Sequence, residues 1–327
     1  MQYRPLPQSE LHVSAVALGC WAFAGGGDWG PQDDADSINT VRAALSHGIT
    51  FFDTAEAYGD GHSEHIVGQA LKGRRNEAVI ATKPKPGRAT PEELLRACDE
   101  SLSRLQTDYI DLYQQHWPSR KVALAETIGG FERLREAGKI RAYGVCNYGP
   151  SDLDELLSLA TPSTNQLAYS LVYRAIEFTI QPKCVENGIG ILCYSPMAQG
   201  LLTGKYRSAD EVPEGRARTK HFSGSRPQAR HGGPGAEEET FATIEAIRRL
   251  AERHGTSMSK LALGWLLTRP AITAVLAGAR TPDQLAANAA AGEGSLSDEL
   301  VAALTEASEG LKVTLGADPD PWDSRIS

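Results

Sequence analysis

The chain has 327 residues, of which 41% are hydrophobic and 23% charged, and its 32 glycines and 18 prolines are spread along its length. This composition excludes a disordered, collagen-like or coiled-coil protein and allows a large buried core, as one barrel or as two smaller domains. The 41 acidic and 33 basic side chains give a formal net charge of −8, which argues against nucleic acid or an anionic membrane surface as the partner and favours a small-molecule ligand.

The five cysteines include no C-x-x-C pair, so neither a disulfide framework nor a metal site is predicted. We expect all of them to be small buried side chains: Cys20, Cys98, Cys146, Cys184 and Cys193. The N-terminal segment lacks an apolar h-region, and no apolar run approaches the length of a membrane span. We therefore expect a cytoplasmic protein that is not bound to a membrane.

The chain begins with a predicted β-hairpin, because Tyr3–Leu6 and Leu11–Val16 flank a polar turn. Short apolar or β-branched runs then recur along the chain, each typical of a buried strand. There are eight of them: Ala15–Leu18, Thr50–Asp53, Ala78–Thr82, Ile110–Gln114, Ile140–Val145, Asn165–Leu167, Ile189–Tyr194 and Ala271–Leu276.

Segments between these runs have the apolar spacing of one-sided helices. The spacing is found at Ile38, Val41 and Leu45, at Leu94, Leu95, Cys98, Leu102 and Leu105, and at Phe241, Ile244, Ile247 and Leu250. Thr90-Pro91-Glu92-Glu93 and Thr281-Pro282-Asp283-Gln284 each place a hydroxyl at the N-cap, Pro at the first helical position and Glu or Gln at the third. Both segments therefore predict a helix start.

Alternating strands and helices predict parallel pairing with right-handed crossovers. Eight such units close into a (β/α)8 TIM barrel, whereas six or seven would form an open doubly wound sheet. Ser208–Glu239 interrupts the alternation without any clear period, so we predict that a long loop, about residues 205–239, closes over the ligand. We expect residues 1–327 to form a single domain.

Polar side chains follow three neighbouring predicted strands. Asp53 and Tyr58 follow the second strand, Lys83 the third and His116 the fourth, and in a barrel these strand ends form one rim. Each residue alone also fits a structural role, as a cap, a loop aromatic, a solvated charge or a buried histidine. Together they predict a proton donor, because a phenol with a pKa of about 10 becomes a usable acid beside a fixed cation. Asp53 would hold Lys83, and His116 would orient a carbonyl oxygen or relay the proton.

The motifs DTAEAYG, ATK, DLYQQHWP, GVCNY and YSPMAQGLLTGKY, in this order, resemble those of the aldo-keto reductase family over about residues 11–288. The resemblance implies reversible reduction of an aldehyde or ketone by NADPH, without a metal. It also implies catalytic roles for four residues: Asp53, Tyr58, Lys83 and His116.

The resemblance further implies a nicotinamide site. Asn147 and Gln166 match the amides that bind the carboxamide, and Tyr194 matches the aromatic that stacks on the nicotinamide ring. Cys146 stands where the family commonly has serine, which weakens one hydrogen bond. Arg280 at a helix start favours a 2′-phosphate and therefore NADPH over NADH. The other implied cofactor contacts are Trp21, Asp53, Ser195, Pro196, Gly200, Leu201, Lys205, Gly278, Gln284 and Asn288.

The glycine-rich segment at residues 25–30 satisfies G-x-G-x-x-G, and Asp53 follows 23 residues after Gly30, as in a Rossmann fingerprint. The next helix begins only near Asp34 or Asp36, and aspartates just before it would repel a pyrophosphate. We therefore interpret the segment as the first rim loop of a barrel, with the Rossmann domain as the alternative.

Three tryptophans are expected beside the carbonyl site: Trp21 and Trp29 in the first rim loop, and Trp117 after His116. With Tyr58 and His116 they form the predicted substrate pocket. Indoles stack against sugar rings, so polyhydroxy carbonyl compounds are the candidate substrates, although the rings could instead pack in the core.

The predicted loop is locally basic, and its cations either grip an anion or form a solvated surface. They are Arg216, Arg218, Lys220, His221, Arg226, Arg230 and His231.

Two other functions stay open on the sequence. Lys83 could be the nucleophile of a Schiff-base aldolase, although an aldolase would not require Tyr194 or Arg280. The family resemblance also extends to channel-associated subunits that keep the fold and the cofactor. The tail, residues 317–327, either folds over the pocket or frays, and no pattern indicates an oligomeric state.

Overall fold

The computed structural model describes residues 1–323, with the side chains at positions 27 and 28 excepted. Strands β1 (Tyr3–Pro5) and β2 (His12–Ser14) form an antiparallel hairpin in which Tyr3 lies opposite Ser14. The chain then forms a closed barrel of eight parallel strands. These strands are β3 (Val16–Gly19), β4 (Phe51–Asp53), β5 (Val79–Thr82), β6 (Ile110–Gln115), β7 (Ile140–Cys146), β8 (Thr164–Ala168), β9 (Gly190–Tyr194) and β10 (Ile272–Gly278).

Each neighbouring pair of barrel strands is parallel, and β10 pairs with β3 to close the barrel. The helices surround it: α1 (Gly26–Trp29), α2 (Asp34–Ser46), α3 (His62–Ala70), α4 (Pro91–Leu105), α5 (Leu124–Glu136), α6 (Pro150–Leu157), α7 (Ile180–Glu186), α8 (Glu237–Arg253), α9 (Met258–Leu267), α10 (Pro282–Ala291), α11 (Asp298–Ala307) and α12 (Glu309–Leu315). The structure confirms the (β/α)8 barrel, and each predicted strand is present with bounds shifted by one or two residues. The open doubly wound sheet and the Rossmann alternative are wrong.

The hairpin closes the amino-terminal end of the barrel. Leu6 and Val13 are fully buried and pack with Phe51 and Leu112 in the barrel interior. Arg4 fixes the hairpin from outside, because its guanidinium donates to the carbonyls of Leu267 and Ile272. The opposite, carboxyl end of the strands therefore remains for ligand binding.

Capping chemistry sets the starts of α4 and α10. Thr90 and Glu93 form a complete capping box, in which each side chain accepts from the backbone of the other residue. At α10, Thr281 accepts from the Gln284 amide, but the Gln284 side chain accepts from the amide of Arg280 rather than from that of Thr281. Both predicted helix starts are confirmed, and at α10 only one half of a capping box is formed.

The first rim loop contains the short helix α1. Asp33 caps the following helix α2, since its carboxylate accepts from the Asp36 amide at 3.0 Å. The carboxylate at this helix start occupies the position that a pyrophosphate would need in a Rossmann fingerprint.

The aperiodic stretch runs over the barrel and ends at Ala236, three residues before the predicted boundary, because α8 begins at Glu237. Apart from one short 3-10 turn at Ala209–Glu211, no regular element is formed between residues 208 and 236. We call residues 205–236 the lid.

All five cysteines are buried free thiols. Within residues 1–323, no helix combines the length and apolarity that crossing a bilayer requires.

Candidate active site

A cavity of about 920 Å³ opens at the carboxyl end of the barrel strands. Most of the predicted site residues line it: Trp21, Trp29, Asp53, Tyr58, His116, Trp117, Asn147, Gln166, Tyr194, Ser195, Pro196, Gly200, Lys205, Gly278, Arg280, Gln284 and Asn288. The barrel therefore brings together residues that are up to 267 positions apart in the chain.

Lys83 lies beneath the cavity floor and is fully buried. Its Nζ atom donates to Asp53 Oδ1 at 2.7 Å and to the Thr54 carbonyl at 2.8 Å, and it lies 3.5 Å from the Tyr58 hydroxyl. Burial alone would lower the pKa of Lys83, but Asp53 and Tyr58 raise it above its usual value. Lys83 is therefore a fixed ammonium ion. A protonated amine is not nucleophilic, so the geometry argues against the aldolase alternative.

The ring of Tyr58 lies between two other rings. Trp21 is nearly parallel to it at 5.9 Å, and His116 meets it edge-on at 5.9 Å. Burial raises the pKa of Tyr58 to about 12, although Lys83 acts in the opposite direction. The sequence indicated the effect of Lys83 correctly but not the larger effect of burial. Tyr58 is consequently protonated at neutral pH, the form that can donate a proton to a carbonyl oxygen.

His116 is a neutral imidazole. Burial and the nearby Lys83 charge lower its pKa to about 3. Its Nδ1 atom is buried. A neutral imidazole can orient an oxygen by hydrogen bonding, whereas an imidazolium relay of the proton would require a much higher pKa.

The side chains of the predicted carboxamide ligands are hydrogen-bonded to other predicted site residues. Asn147 follows β7 with a left-handed backbone (φ 62°), donates to the His116 carbonyl at 3.2 Å, and accepts from the Tyr194 hydroxyl at 2.9 Å. Gln166 donates to Asp53 Oδ2 at 2.8 Å. Nothing in the sequence indicated this last contact, which links the predicted cofactor ligand to the carboxylate of Asp53.

Arg280 lies just before α10, where it contacts the first rim loop, which follows the neighbouring strand β3. Its guanidinium donates to Gln32 Oε1 at 2.7 Å, to the Trp29 carbonyl at 3.0 Å and to the Pro31 carbonyl.

The cavity is positively charged although the protein is acidic. The cations that line it are Lys205, Arg216, Arg218, Arg230 and Arg280. Among the described lining residues the only carboxylate is Asp53, and Lys83 is its ion-pair partner. Such a lining favours a ligand with several phosphate charges.

Not all predicted residues reach the cavity. Cys146 and Leu201 are buried and lie outside its lining. His221 and His231 are buried too, with ring nitrogens 2.9 Å from the Val172 carbonyl and 3.1 Å from the Thr219 carbonyl. The expectation that these two histidines grip an anion or form a solvated surface is wrong, because both rings are buried and bonded within the protein. His221 fastens the lid to the loop after β8, whereas His231 contacts another residue of the lid.

Two other lid cations bind within the protein, Lys220 to Asp318 and Arg226 to Glu237.

The described part of the C-terminal tail, residues 317–323, folds over the pocket. Trp322 stacks on Tyr194 at 5.5 Å with an angle of 12° between the rings, and it meets Trp21 edge-on at 6.5 Å. The sequence left open whether the tail and its Trp322 reach the pocket, and sequence reasoning missed the lining residues Gln199 and Ser259. The tail has no periodicity, and only its tryptophan, in an otherwise polar segment, could have indicated a contact.

The Aldo/keto reductase family model matches residues 15–309. The chain belongs to the aldo-keto reductase family. This aldo-keto reductase is 34% identical over 339 residues to the NADH-specific methylglyoxal reductase of Escherichia coli, with 95% of this chain and 100% of the relative covered.

Solved structures that share the fold include the following two. The glycerol dehydrogenase AKR11B4 from Gluconobacter oxydans has a TM-score of 0.81 and 32% identity, covering 99% of this chain and 98% of that chain. An aldo-keto reductase from Klebsiella pneumoniae in complex with NADPH has a TM-score of 0.72 and 28% identity, covering 92% of this chain and 95% of that chain. The protein is thus an oxidoreductase that acts on carbonyl or alcohol groups, and its relatives support a nicotinamide cofactor.

Proposed function

We propose that this aldo-keto reductase uses NADPH to reduce an aldehyde or ketone reversibly, with Tyr58 as the proton donor. One observation carries the proposal: a phenol at the cavity floor lies 3.5 Å from a buried ammonium, which in turn lies 2.7 Å from a carboxylate. This arrangement holds a protonated acid where a carbonyl oxygen can reach it.

The residues present fit a nicotinamide dinucleotide. The amides of Asn147 and Gln166 offer both donors and acceptors for a carboxamide, and Tyr194 offers an aromatic ring. Lys205 and Arg280 line the same cavity and suit the phosphate groups. When bound, the reduced cofactor supplies a hydride for the carbonyl carbon.

The protein's own part of the reaction is proton transfer. The Tyr58 hydroxyl gives its proton to the carbonyl oxygen, while the Lys83 ammonium stabilises the phenolate that remains. His116 orients the same oxygen as a neutral imidazole. Because these groups are already in place, they stabilise the charge that develops in the transition state more than the ground state. In the reverse direction the phenolate accepts the proton of the alcohol.

The choice of NADPH over NADH rests on Arg280 at the start of α10. A guanidinium at the start of a helix suits a 2′-phosphate. We expect Arg280→Gln to weaken NADPH binding about tenfold, the loss of one charge-assisted contact, and to leave NADH binding within twofold. Arg249→Gln, on the exposed surface of α8, is the matched control. Equal weakening for both cofactors, or tighter binding of NADH by the unaltered protein, would overturn this assignment.

The proposed substrates are polyhydroxy carbonyl compounds. Trp21, Trp29 and Trp117 line the cavity near Tyr58, and indole rings stack on the C–H faces of such molecules. The similarity to a glycerol dehydrogenase supports the same class. A panel that compares glyceraldehyde and larger sugars with apolar aldehydes of matched size should give the higher kcat/KM for the hydroxylated members. A preference for the apolar aldehydes would contradict the proposal.

We also propose that residues 1–327 act as one domain, and that the protein works in the cytoplasm. The buried free thiols support a reducing compartment.

A further inference from the structure

The carboxylate of Asp53 has two oxygens with different partners. Oδ1 accepts from Lys83, whereas Oδ2 accepts from Gln166 at 2.8 Å and lies 3.4 Å from Nε2 of Gln114. Gln114 has no role in the proposed reaction so far. It is fully buried in β6, where an amide is costly unless both of its ends are hydrogen-bonded.

The other end of the Gln114 amide is fixed. Its Oε1 accepts from the Thr164 hydroxyl of β8 at 3.3 Å, so its N–H group must face Asp53. Gly144, which pairs with Gln114 between β6 and β7, leaves room for this pair. A Cβ atom at Gly144 would lie 2.3 Å from the Thr164 hydroxyl oxygen. The barrel interior therefore leaves space for a glutamine side chain whose amide N–H group is directed at the Asp53 carboxylate.

The side chain of Gln166 has two partners under the proposed function, Asp53 and the cofactor. In the structure its N–H group holds Asp53, and under the proposed function the same side chain binds the nicotinamide carboxamide. A turn toward the cofactor removes the shorter of the two bonds to Oδ2, and a buried carboxylate that loses a donor is destabilised.

We propose that Gln114 is a positioning residue that takes over Asp53 Oδ2 when Gln166 turns to the cofactor. The inference rests on the proposed function, since it requires Gln166 to bind the carboxamide. Gln114 contacts neither cofactor nor substrate, and it acts through Asp53, which in turn holds Lys83 beside Tyr58.

The exchange of partners makes NADPH affinity depend on both glutamines in a non-additive way. In Gln114→Met, Gln166 is the remaining donor to Asp53 Oδ2, and this donor is lost when Gln166 turns to bound NADPH. We expect the Kd for NADPH to rise about fivefold, the equivalent of one ordinary hydrogen bond. In a Gln166→Met background no exchange takes place, so adding Gln114→Met should leave the Kd within twofold. In both backgrounds Gln114→Met should lower kcat, because Asp53 loses a donor.

The experiment is a double-mutant cycle with NADPH titrated against the full-length protein. Gln181→Met is the matched control, because Gln181 is also buried and its Nε2 donates one bond, to the Pro270 carbonyl, away from Asp53. Thr164→Val keeps the volume and removes only the hydroxyl that orients Gln114, so it should raise the Kd in the same direction by a smaller factor.

A merely structural role would weaken NADPH binding by the same factor in both backgrounds, or would leave it unchanged, and either result overturns the inference. If the unaltered protein binds no NADPH, the proposed function itself fails, and this failure is visible before any variant is compared.

Discussion

At the scale of single residues, the proposed chemistry depends on the positive charge of the buried Lys83 side chain, which neighbouring groups stabilise. Burial favours a neutral amine at Lys83, and the Asp53 carboxylate reverses that preference. The ammonium then acts on Tyr58, the hydroxyl 3.5 Å away. The same ammonium lowers the pKa of His116, so a single cation helps to set the proton state of both neighbours.

Replacing Lys83 by Met removes that cation with little change in volume. The phenolate that forms on proton donation would then have no counter-charge, so we expect kcat to fall about 100- to 10,000-fold, the usual range for a general acid. NADPH should still bind within a few-fold of the normal Kd, because Lys83 lies beneath the cavity floor. Steady-state kinetics beside fluorescence titration measure both quantities. A kcat within threefold of normal would remove Lys83 from the mechanism.

The sequence predicted which residues meet at this site and that Asp53 holds Lys83, but not the other bonds that hold them. The spacing after the strands placed Asp53, Tyr58, Lys83 and His116 on one rim, and the structure has them there. The bond from Gln166 to Asp53 could not be predicted, because it depends on side-chain directions across the barrel. The raised pKa of Tyr58 could not be predicted either, because the burial that causes it depends on how all the rim segments pack together.

At the scale of elements, the lid and the tail are joined to each other over the cavity. The Lys220 amide donates to the Pro321 carbonyl at 2.8 Å, and its side chain pairs with Asp318. The Asp318 carbonyl in turn accepts from the Tyr173 hydroxyl at 2.6 Å. These contacts hold Trp322 in the pocket wall. The regular helices and strands could be predicted from the periodicity of apolar residues. The conformations of the lid and the tail could not, because they depend on the residues against which these segments pack.

Deleting residues 318–327 should therefore affect binding more than chemistry. We expect the KM for an aldehyde substrate to rise several-fold, because the cavity loses an aromatic wall. The kcat should stay within twofold, since the described tail makes no hydrogen bond to Tyr58 or Lys83. Val313→Ala, on the exposed surface of α12, is the control. An unchanged KM, or a kcat that falls tenfold, would contradict this role for the tail.

At the scale of the whole molecule, acid should weaken the fold through His221. Burial lowers the pKa of this imidazole to about 4, whereas in the unfolded chain the value is about 6.5. The unfolded state therefore binds a proton first, so the stability from the neutral imidazole is full above pH 6.5 and is lost as the pH falls toward 4. The loss attributable to His221 at pH 5 is about 2 kcal/mol.

Urea unfolding at pH 7 and pH 5 tests this prediction. An amide can replace both ring contacts, so His221→Gln should show a smaller loss of stability between the two pH values, by about 2 kcal/mol. His62→Gln, at a half-exposed histidine, should behave like the unaltered protein. Identical pH dependence in all three proteins would show that His221 does not set the acid sensitivity.

The most direct measurement compares the unaltered protein with Tyr58→Phe in a single assay. NADPH is first titrated by tryptophan fluorescence, and a polyhydroxy aldehyde is then added while the absorbance of the reduced nicotinamide is followed. The proposed mechanism predicts similar Kd values for both proteins, with aldehyde-dependent NADPH oxidation at least 100-fold slower in the variant. Equal turnover by Tyr58→Phe would contradict Tyr58 as the proton donor, and the absence of NADPH binding by the unaltered protein would contradict the proposed cofactor.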